Sequence, residues 1–343
     1  MFPAQGASGL RCRLPLYPTH QPDRPVDNKL NESASGMYVI SATPFAEDGA
    51  LDLESTRSLV DFYLACGVTG MTILGIMGEA PKLTGEESLQ FVKAVLKQVN
   101  GKVPIIVGAS APGIDNLASF TRRVMDAGAA GVMIAPIPGL KTDEQVYGYF
   151  EQVASRLGDI PWVLQDYPQV TTVHMAPYLI TRMVQDFKGL VMFKHEDWPG
   201  LNKITSLREA ERHGTRRISI LVGNGGIHFP QELGRGVDGA MTGFAYPEAL
   251  VKTQELYRAG KREDAEDIYD AYLPIIRQEL QPGLGLAIRK FILKRRGAIR
   301  SDRLRAPGPK LGVMDTQEVE HLMRRMERRT KQLGIGVPVT FSR

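Results

Sequence analysis

Lys194 closes the apolar run Gly189 to Phe193 in "GLVMFK". An apolar strand that ends in an amine raises a chemical question. A lysine in a dry pocket has its ammonium form disfavoured by desolvation. The neutral amine can attack a carbonyl and form an imine. A protonated imine withdraws electrons from its neighbour, so a C–C or C–O bond can be made or broken without a bound cofactor. The plainer reading is a surface lysine at a strand exit. His195, Glu196 and Asp197 follow at once. As metal ligands they are poor, because adjacent residues on a strand point in different directions. His174 and His228 are too scattered to complete a set. Polar loop residues are the reading for all three, and no metal is expected.

Other short stretches carry weaker signals. "GIMGE" (75–79) has Gly75 and Gly78 to permit a tight turn whose N–H groups can meet a carboxylate. "GNGG" (223–226) resembles the glycine-rich phosphate loops that follow late strands in barrels. It holds no lysine, serine or threonine, so a phosphosugar enzyme is an alternative only.

Eight short runs could position these groups: residues 37–42, 70–75, 104–109, 131–136, 161–166, 189–194, 218–223 and 239–244. Most are continuously apolar, as parallel strands buried on both faces are. Helical patterns lie between them. In 53–67, Leu59, Val60, Tyr63 and Leu64 share one stripe. Thr84 and Glu87 form a capping box at the start of 84–101, and Gly101 suits its end. Eight evenly spaced β/α units predict a closed α/β barrel, a (β/α)8 TIM barrel, over 36–250, rather than an open doubly wound sheet. Residues 250–280 and about 315–334 read as helices, with a bridge broken at Pro282, so 251–343 is expected to form a C-terminal helical subdomain and tail. Residues 1–35 read as a flexible N-terminal arm.

The chain has 343 residues, net charge +4, 43% hydrophobic residues and two cysteines, Cys12 and Cys66. No disulfide framework is expected, and a reducing, cytoplasmic setting fits. No run reaches the ~18 apolar residues of a membrane span, and the first 35 residues lack the apolar core of a secretory signal. Residues 289–305 hold eight basic side chains against Asp302 alone. They read as a solvated helix and loop near an oligomer surface. A nucleic-acid patch is the alternative, but Phe291 is the lone aromatic among the basic residues, too little for a stacking platform.

In a (β/α)8 TIM barrel the chemistry sits at the C-terminal strand ends. The residues there resemble the dihydrodipicolinate synthase and N-acetylneuraminate lyase superfamily, the class I pyruvate-dependent aldolases. The likeness covers 37 to about 300 and rests on "ATPFAEDGALD" (42–52), "LGIMGEAPKLTGEE" (74–87), "PIIVGAS" (104–110), "DAGAAGVMIAP" (126–136), "QDYP" (165–168) and "VMFKHED" (191–197). The resemblance implies an imine between Lys194 and the keto carbon of pyruvate or another 2-oxo acid. It implies no cofactor, and a homotetramer or dimer. Gly75, Ile76, Met77, Gly78 and Glu79 would hold the substrate carboxylate side, with Gly243 at the end of the eighth strand.

The departures from the family pattern are chemical. Ile76 and Met77 stand where hydroxyl residues are usual. Gln165 stands at the relay tyrosine, and "APIP" (135–138) lacks a second one. Val170 replaces an arginine that holds the aldehyde substrate's carboxylate. Gln165 would orient substrate or a water, while Asp166, His195, Glu196 and Tyr246 are candidates for the missing acid or base. By strand alternation Tyr167 falls off the reactive face or in the turn. The expectation is a Schiff-base lyase or aldolase acting on a small 2-oxo acid, with no nucleic-acid or membrane partner. The alternatives are a true 4-hydroxy-tetrahydrodipicolinate synthase and a non-catalytic 2-oxo acid binder.

Overall fold

The computed structural model describes residues 29–198, 200–334 and 339–340. All eight expected runs are strands, β6 as long as its run but one residue further on and the others a little shorter: β1 Gly36–Ile40, β2 Gly70–Ile73, β3 Ile105–Gly108, β4 Gly131–Ile134, β5 Trp162–Asp166, β6 Leu190–His195, β7 Ser219–Val222 and β8 Gly239–Thr242. They pair in sequence order, all parallel, and β1 closes onto β8. The fold is a (β/α)8 barrel followed by C-terminal helices.

Helices α1 (Leu53–Ala65), α2 (Gly85–Val99), α3 (Ile114–Asp126), α4 (Asp143–Leu157), α5 (Pro168–Thr171), α6 (Pro177–Asp186), α7 (Leu201–Arg212), α8 (Phe229–Gly234) and α9 (Pro247–Arg258) lie between and after the strands. The Thr84/Glu87 capping box forms, and a second one at Thr142/Gln145 opens α4. The α1 stripe buries Leu59, Val60 and Tyr63.

Strand alternation divides the core in two. Tyr38, Ile40, Ile106, Met133, Val163, Met192, Leu221 and Met241 fill the barrel interior. The other strand faces join the helices in a larger core. Residues 1–28 of the expected arm lie outside the described residues, as does Cys12. Residues 29–35 are not free: Leu30 is buried in the interior cluster and its N–H donates to Ala130 O at 3.0 Å.

The helical stretch 250–280 is interrupted, with α9 and α10 (Arg262–Glu279) separated at Gly260, whose φ is +75°. The bridge contains a helix of its own, α11 (Gly285–Arg295), before α12 (Val313–Gln332). The basic stretch 289–305 is a solvated face only in part: Lys294, Arg295, Arg300 and Arg303 are exposed, whereas Arg289, Lys290 and Arg296 are buried. Arg289 pairs with Glu279, Lys290 with Glu79, Arg296 with Glu248, Arg300 with Asp52 and Arg305 with Glu87. These acids are remote in sequence, so a local charge count could not see them. No described helix is long and apolar enough to cross a membrane.

Candidate active site

β5 and β6 set Gln165 beside Lys194 and Asp166 beside His195. Alternation sends each pair to a different face. Lys194 follows Met192 and Gln165 follows Val163 into the barrel. Asp166 and His195 face outward to α7. There Lys203 Nζ donates to Asp166 Oδ2 at 2.8 Å, and His195 Nε2 lies 3.0 Å from Gly200 O. Neither lines the cavity described below, so the structure gives no support to either as the acid or base.

Glu196 lies one residue past the strand. Its N–H still donates to Asp166 O at 2.9 Å, and Asn224 Nδ2 donates to its carbonyl at 3.0 Å. Its side chain turns inward. Glu196 Oε2 lies 2.9 Å from Lys194 Nζ and accepts from Gln165 Nε2 at 2.8 Å. Both charged side chains are almost wholly buried. Sequence reading expected an apolar setting for Lys194, whereas its nearest partner is a carboxylate. Gly223 makes the space, since a Cβ there would overlap Glu196. The "GNGG" loop therefore wraps a carboxylate, which like-charge repulsion makes a poor phosphate cradle.

The pair opens on a cavity of about 720 Å³ at the barrel mouth. Ile40, Ile76, Met77, Thr242 and Gly243 line it from the strand ends, and Glu279, Pro282 and Arg289 from the C-terminal segment. Trp198 and Val170 also line it and are about half exposed. Tyr167 lines it too, from the turn that was one of its two expected places, and on the side of Gln165 two residues before it. β5 stops at Asp166, and Tyr167 caps α5 with φ −131° and ψ 70°. Burial raises its phenol above the ordinary range; Glu196 adds to the rise and Arg289 opposes it. A second hollow of about 900 Å³ lies between α8 and α10, lined by His228, Tyr269 and Arg277 among others, with no lysine.

The turn after β2 is a single 3-10 turn, Ile76–Gly78, with Thr43 Oγ1 donating to Gly78 O at 2.6 Å. Ile76 and Met77 line the cavity; Gly75 and Gly78 shape the turn beneath them. Glu79 belongs elsewhere. Its backbone is left-handed, with φ +55°, and its carboxylate accepts from Lys290 Nζ at 2.6 Å and Lys82 Nζ at 2.9 Å. It clamps α11 to the barrel and does not line the cavity. Tyr246 does not reach in either. It is buried in the outer core, with Arg296 stacked 4.1 Å from its ring centre.

Arg289 and Glu279 were not among the expected site residues. Arg289 Nε donates to Glu279 Oε2 at 2.7 Å, and both are buried. The signal was available: "LAIRKFIL" sets two cations inside an apolar helix, and cations there need buried partners.

A closed parallel barrel with charged side chains converging on a cavity at its C-terminal strand ends defines a barrel enzyme. The family model for the dihydrodipicolinate synthetase family matches residues 33–327, and the chain belongs to that family. It is a lyase of the aldolase type. It is 32% identical over 297 residues to the L-2-keto-3-deoxyarabonate dehydratase of Azospirillum brasilense, covering 85% of this chain and 94% of the relative. It is 27% identical to a 4-hydroxy-tetrahydrodipicolinate synthase of Methanococcus maripaludis, over 71% of this chain and 82% of the relative. The crystal structure of a dihydrodipicolinate synthase from Rhodopseudomonas palustris superposes with a TM-score of 0.85 at 47% identity, over 87% of this chain and 99% of that one.

Proposed function

We propose that this chain is a Schiff-base lyase that removes water from a 2-keto-3-deoxy sugar acid. The observation that carries the reading is the carboxylate of Glu196, 2.9 Å from Lys194 Nζ inside an open cavity. The amine adds to the keto carbon of the 2-oxo acid. Glu196 accepts a proton from the adding amine and returns it to the carbinolamine hydroxyl, which leaves as water. The iminium acidifies C3–H, and loss of that proton gives an enamine. The enamine expels the C4 hydroxyl, protonated as it leaves, as a second water. Hydrolysis of the conjugated iminium consumes one water and frees Lys194, so the net change is loss of one water. Gln165 holds Glu196 Oε2 in place through its 2.8 Å hydrogen bond. Tyr167 is the phenol bordering this space. Elimination needs no second substrate carboxylate to be held, which suits Val170 at the position where the synthase pattern has arginine.

The relative from A. brasilense supports the dehydratase direction. The 47% identity to the R. palustris protein favours a second reading, condensation of pyruvate with an aldehyde. From the family pattern we further take the chain to act as a cytoplasmic homo-oligomer, a tetramer or dimer, without cofactor.

The test is borohydride reduction with pyruvate and with a panel of 2-keto-3-deoxy acids, followed by peptide mass analysis and by assay for dehydrated product. The expected result is a reduced adduct on Lys194 and release of a product one water lighter. An adduct with pyruvate together with condensation onto aspartate semialdehyde would establish the synthase reading instead. An unmodified Lys194 across the panel ends the imine reading.

A further inference from the structure

The inference rests on the dehydratase reading above and concerns the proton that the C4 hydroxyl needs as it leaves. Hydroxide is a poor leaving group, so an acid must meet that oxygen. Glu196 is tied to the other end of the substrate. Its Oε2 lies 2.9 Å from Lys194 Nζ and accepts from Gln165 Nε2 at 2.8 Å, which holds the carboxylate beside the imine, at C2 and C3.

Few other proton donors line the cavity. The Lys194 nitrogen is taken up by the imine. Glu279 is buried and engaged through both oxygens, accepting from Arg289 Nε at 2.7 Å and from Ala245 N at 3.1 Å. Thr242 is buried, and its Oγ1 accepts from Gly225 N at 2.8 Å. Tyr167 differs from all of these. It lines the cavity, is only partly buried, and its hydroxyl makes no hydrogen bond among the described residues. Two residues of extended chain advance about 6.5 Å. Tyr167 is therefore on the side of Gln165 but nearer the mouth, further along a substrate whose C2 is held at Lys194. Its backbone is fixed there by α5, with its carbonyl accepting from Val170 N at 3.1 Å and Thr171 N at 3.0 Å. Burial first and Glu196 second keep the phenol protonated until it acts, and Arg289 favours the phenolate that it becomes.

We propose that Tyr167 is the catalytic acid of the elimination, its hydroxyl donating to the C4 oxygen of the 2-keto-3-deoxy acid joined to Lys194. Glu196 takes the C3 proton, and the enamine forms. The enamine electrons then make the C3–C4 double bond as the C4–O bond breaks, and the oxygen leaves as water with the phenol's proton. Glu196 passes its proton to the Tyr167 phenolate through the released water, so both groups end as they began. Lys194 and Glu196 thus serve any 2-oxo acid, whereas Tyr167 acts only on one with a hydroxyl to expel.

The test compares wild type with Tyr167→Phe in three readouts. These are borohydride trapping of pyruvate on Lys194, exchange of the pyruvate C3 hydrogens in deuterium oxide, and elimination from a 2-keto-3-deoxypentonate and from its 4-chloro analogue. Chloride leaves without a proton. In Tyr167→Phe the loss of water should slow about 10²- to 10⁴-fold, while trapping, exchange and loss of chloride persist. Persistent trapping also shows that the variant is folded. Loss of water at the wild-type rate in Tyr167→Phe would overturn the proposal and leave both proton transfers to Glu196. So would an equal slowing for hydroxyl and chloride, which means a structural role, or a parallel loss of exchange, which means a role at C3. Wild type that traps pyruvate but eliminates neither group ends the dehydratase reading and the proposal with it. Wild type that traps nothing ends the imine reading as well.

Discussion

Two lysine–glutamate pairs are buried among the described residues, and they do different work. Lys290 and Glu79 meet at 2.6 Å with side chains 0% and 1% exposed. Lys194 and Glu196 meet at 2.9 Å, 5% and 9% exposed. Around the first pair every direction is filled. Lys290 also donates to Arg303 O at 2.9 Å and lies over the ring of Phe45, while the second oxygen of Glu79 accepts from Lys82 and the Arg305 N–H. The second pair faces open space of about 720 Å³. Burial lowers the Lys290 pKa, and Glu79 opposes the shift. A desolvated lysine is therefore not enough for chemistry. A carbonyl must be able to reach the nitrogen, and only at Lys194 is there room.

The comparison breaks most sharply at Lys194 itself. Lys194→Met should lower turnover by about 10⁴-fold or more, as loss of a covalent nucleophile does, and should abolish borohydride trapping. Its thermal unfolding should change little, because the remaining Glu196 borders a wet cavity and keeps Gln165. A variant that still traps 2-oxo acids at another lysine would refute the assignment. Next in size is Glu196→Gln. It keeps the shape and the contact with Gln165 but cannot carry the proton. We expect kcat to fall about 10²- to 10⁴-fold, with some trapping retained at long incubation. Full activity in this variant would move the acid–base role elsewhere, with Tyr167 the next to test.

Lys290→Met should give the complementary result. Removing one member of a sealed pair costs about 3–5 kcal/mol, because Glu79 is left charged and buried. Chemical or thermal unfolding reads this directly, with a drop in Tm on the order of 10 °C. The fraction that remains folded should still be labelled at Lys194. Equal stability of Lys290→Met and wild type would contradict the clamp role given to Glu79.

The limits of sequence reading follow from the same contrast. Barrel strands are legible because burial on both faces writes a continuous apolar run, and Lys194 is legible because it interrupts one. Ile76 and Met77 fall on the cavity wall as expected, since the turn follows directly from its strand. Glu79 was misplaced because its partner, Lys290, is 211 residues away. Arg289 was overlooked for the same reason, its place depending on how α11 returns over the mouth. Tyr167 was expected off the reactive face or in the turn; it lies in the turn and lines the cavity, because two residues on from Gln165 the chain returns to the same side. Glu196 was visible only as one polar residue among three, and the reason for its inward turn, the space at Gly223, lies on a neighbouring strand.

The smallest expected effect compares two carboxylates away from the chemistry. Glu87 accepts from both terminal nitrogens of Arg305 at 2.7 Å and from Thr84 N at 2.9 Å, and these hydrogen bonds, that of Arg305 foremost, hold its carboxyl down to about 2. Its folded pKa lies below the unfolded value near 4.5. Its contribution to stability is thus full above pH 4.5 and is lost as pH falls towards 2. Glu232 has the opposite sign. Burial pushes its carboxyl up to about 8, and its Oε2 has no hydrogen-bond partner. The folded state binds that proton more tightly than the unfolded chain, so stability declines as pH rises from about 4.5 to 8. Glu87→Gln should flatten the acid limb by about 1 kcal/mol or less, the range of a partly exposed pair. Glu232→Gln should flatten the neutral-to-alkaline limb and raise stability at pH 8 relative to wild type. Urea unfolding at pH 3, 5 and 8 separates the two. A Glu232→Gln curve parallel to wild type from pH 5 to pH 8 would show that Glu232 already meets water, and an acid limb unaltered in Glu87→Gln would place the acid sensitivity on another carboxylate, with Asp52 and its Arg300 partner the next pair to vary.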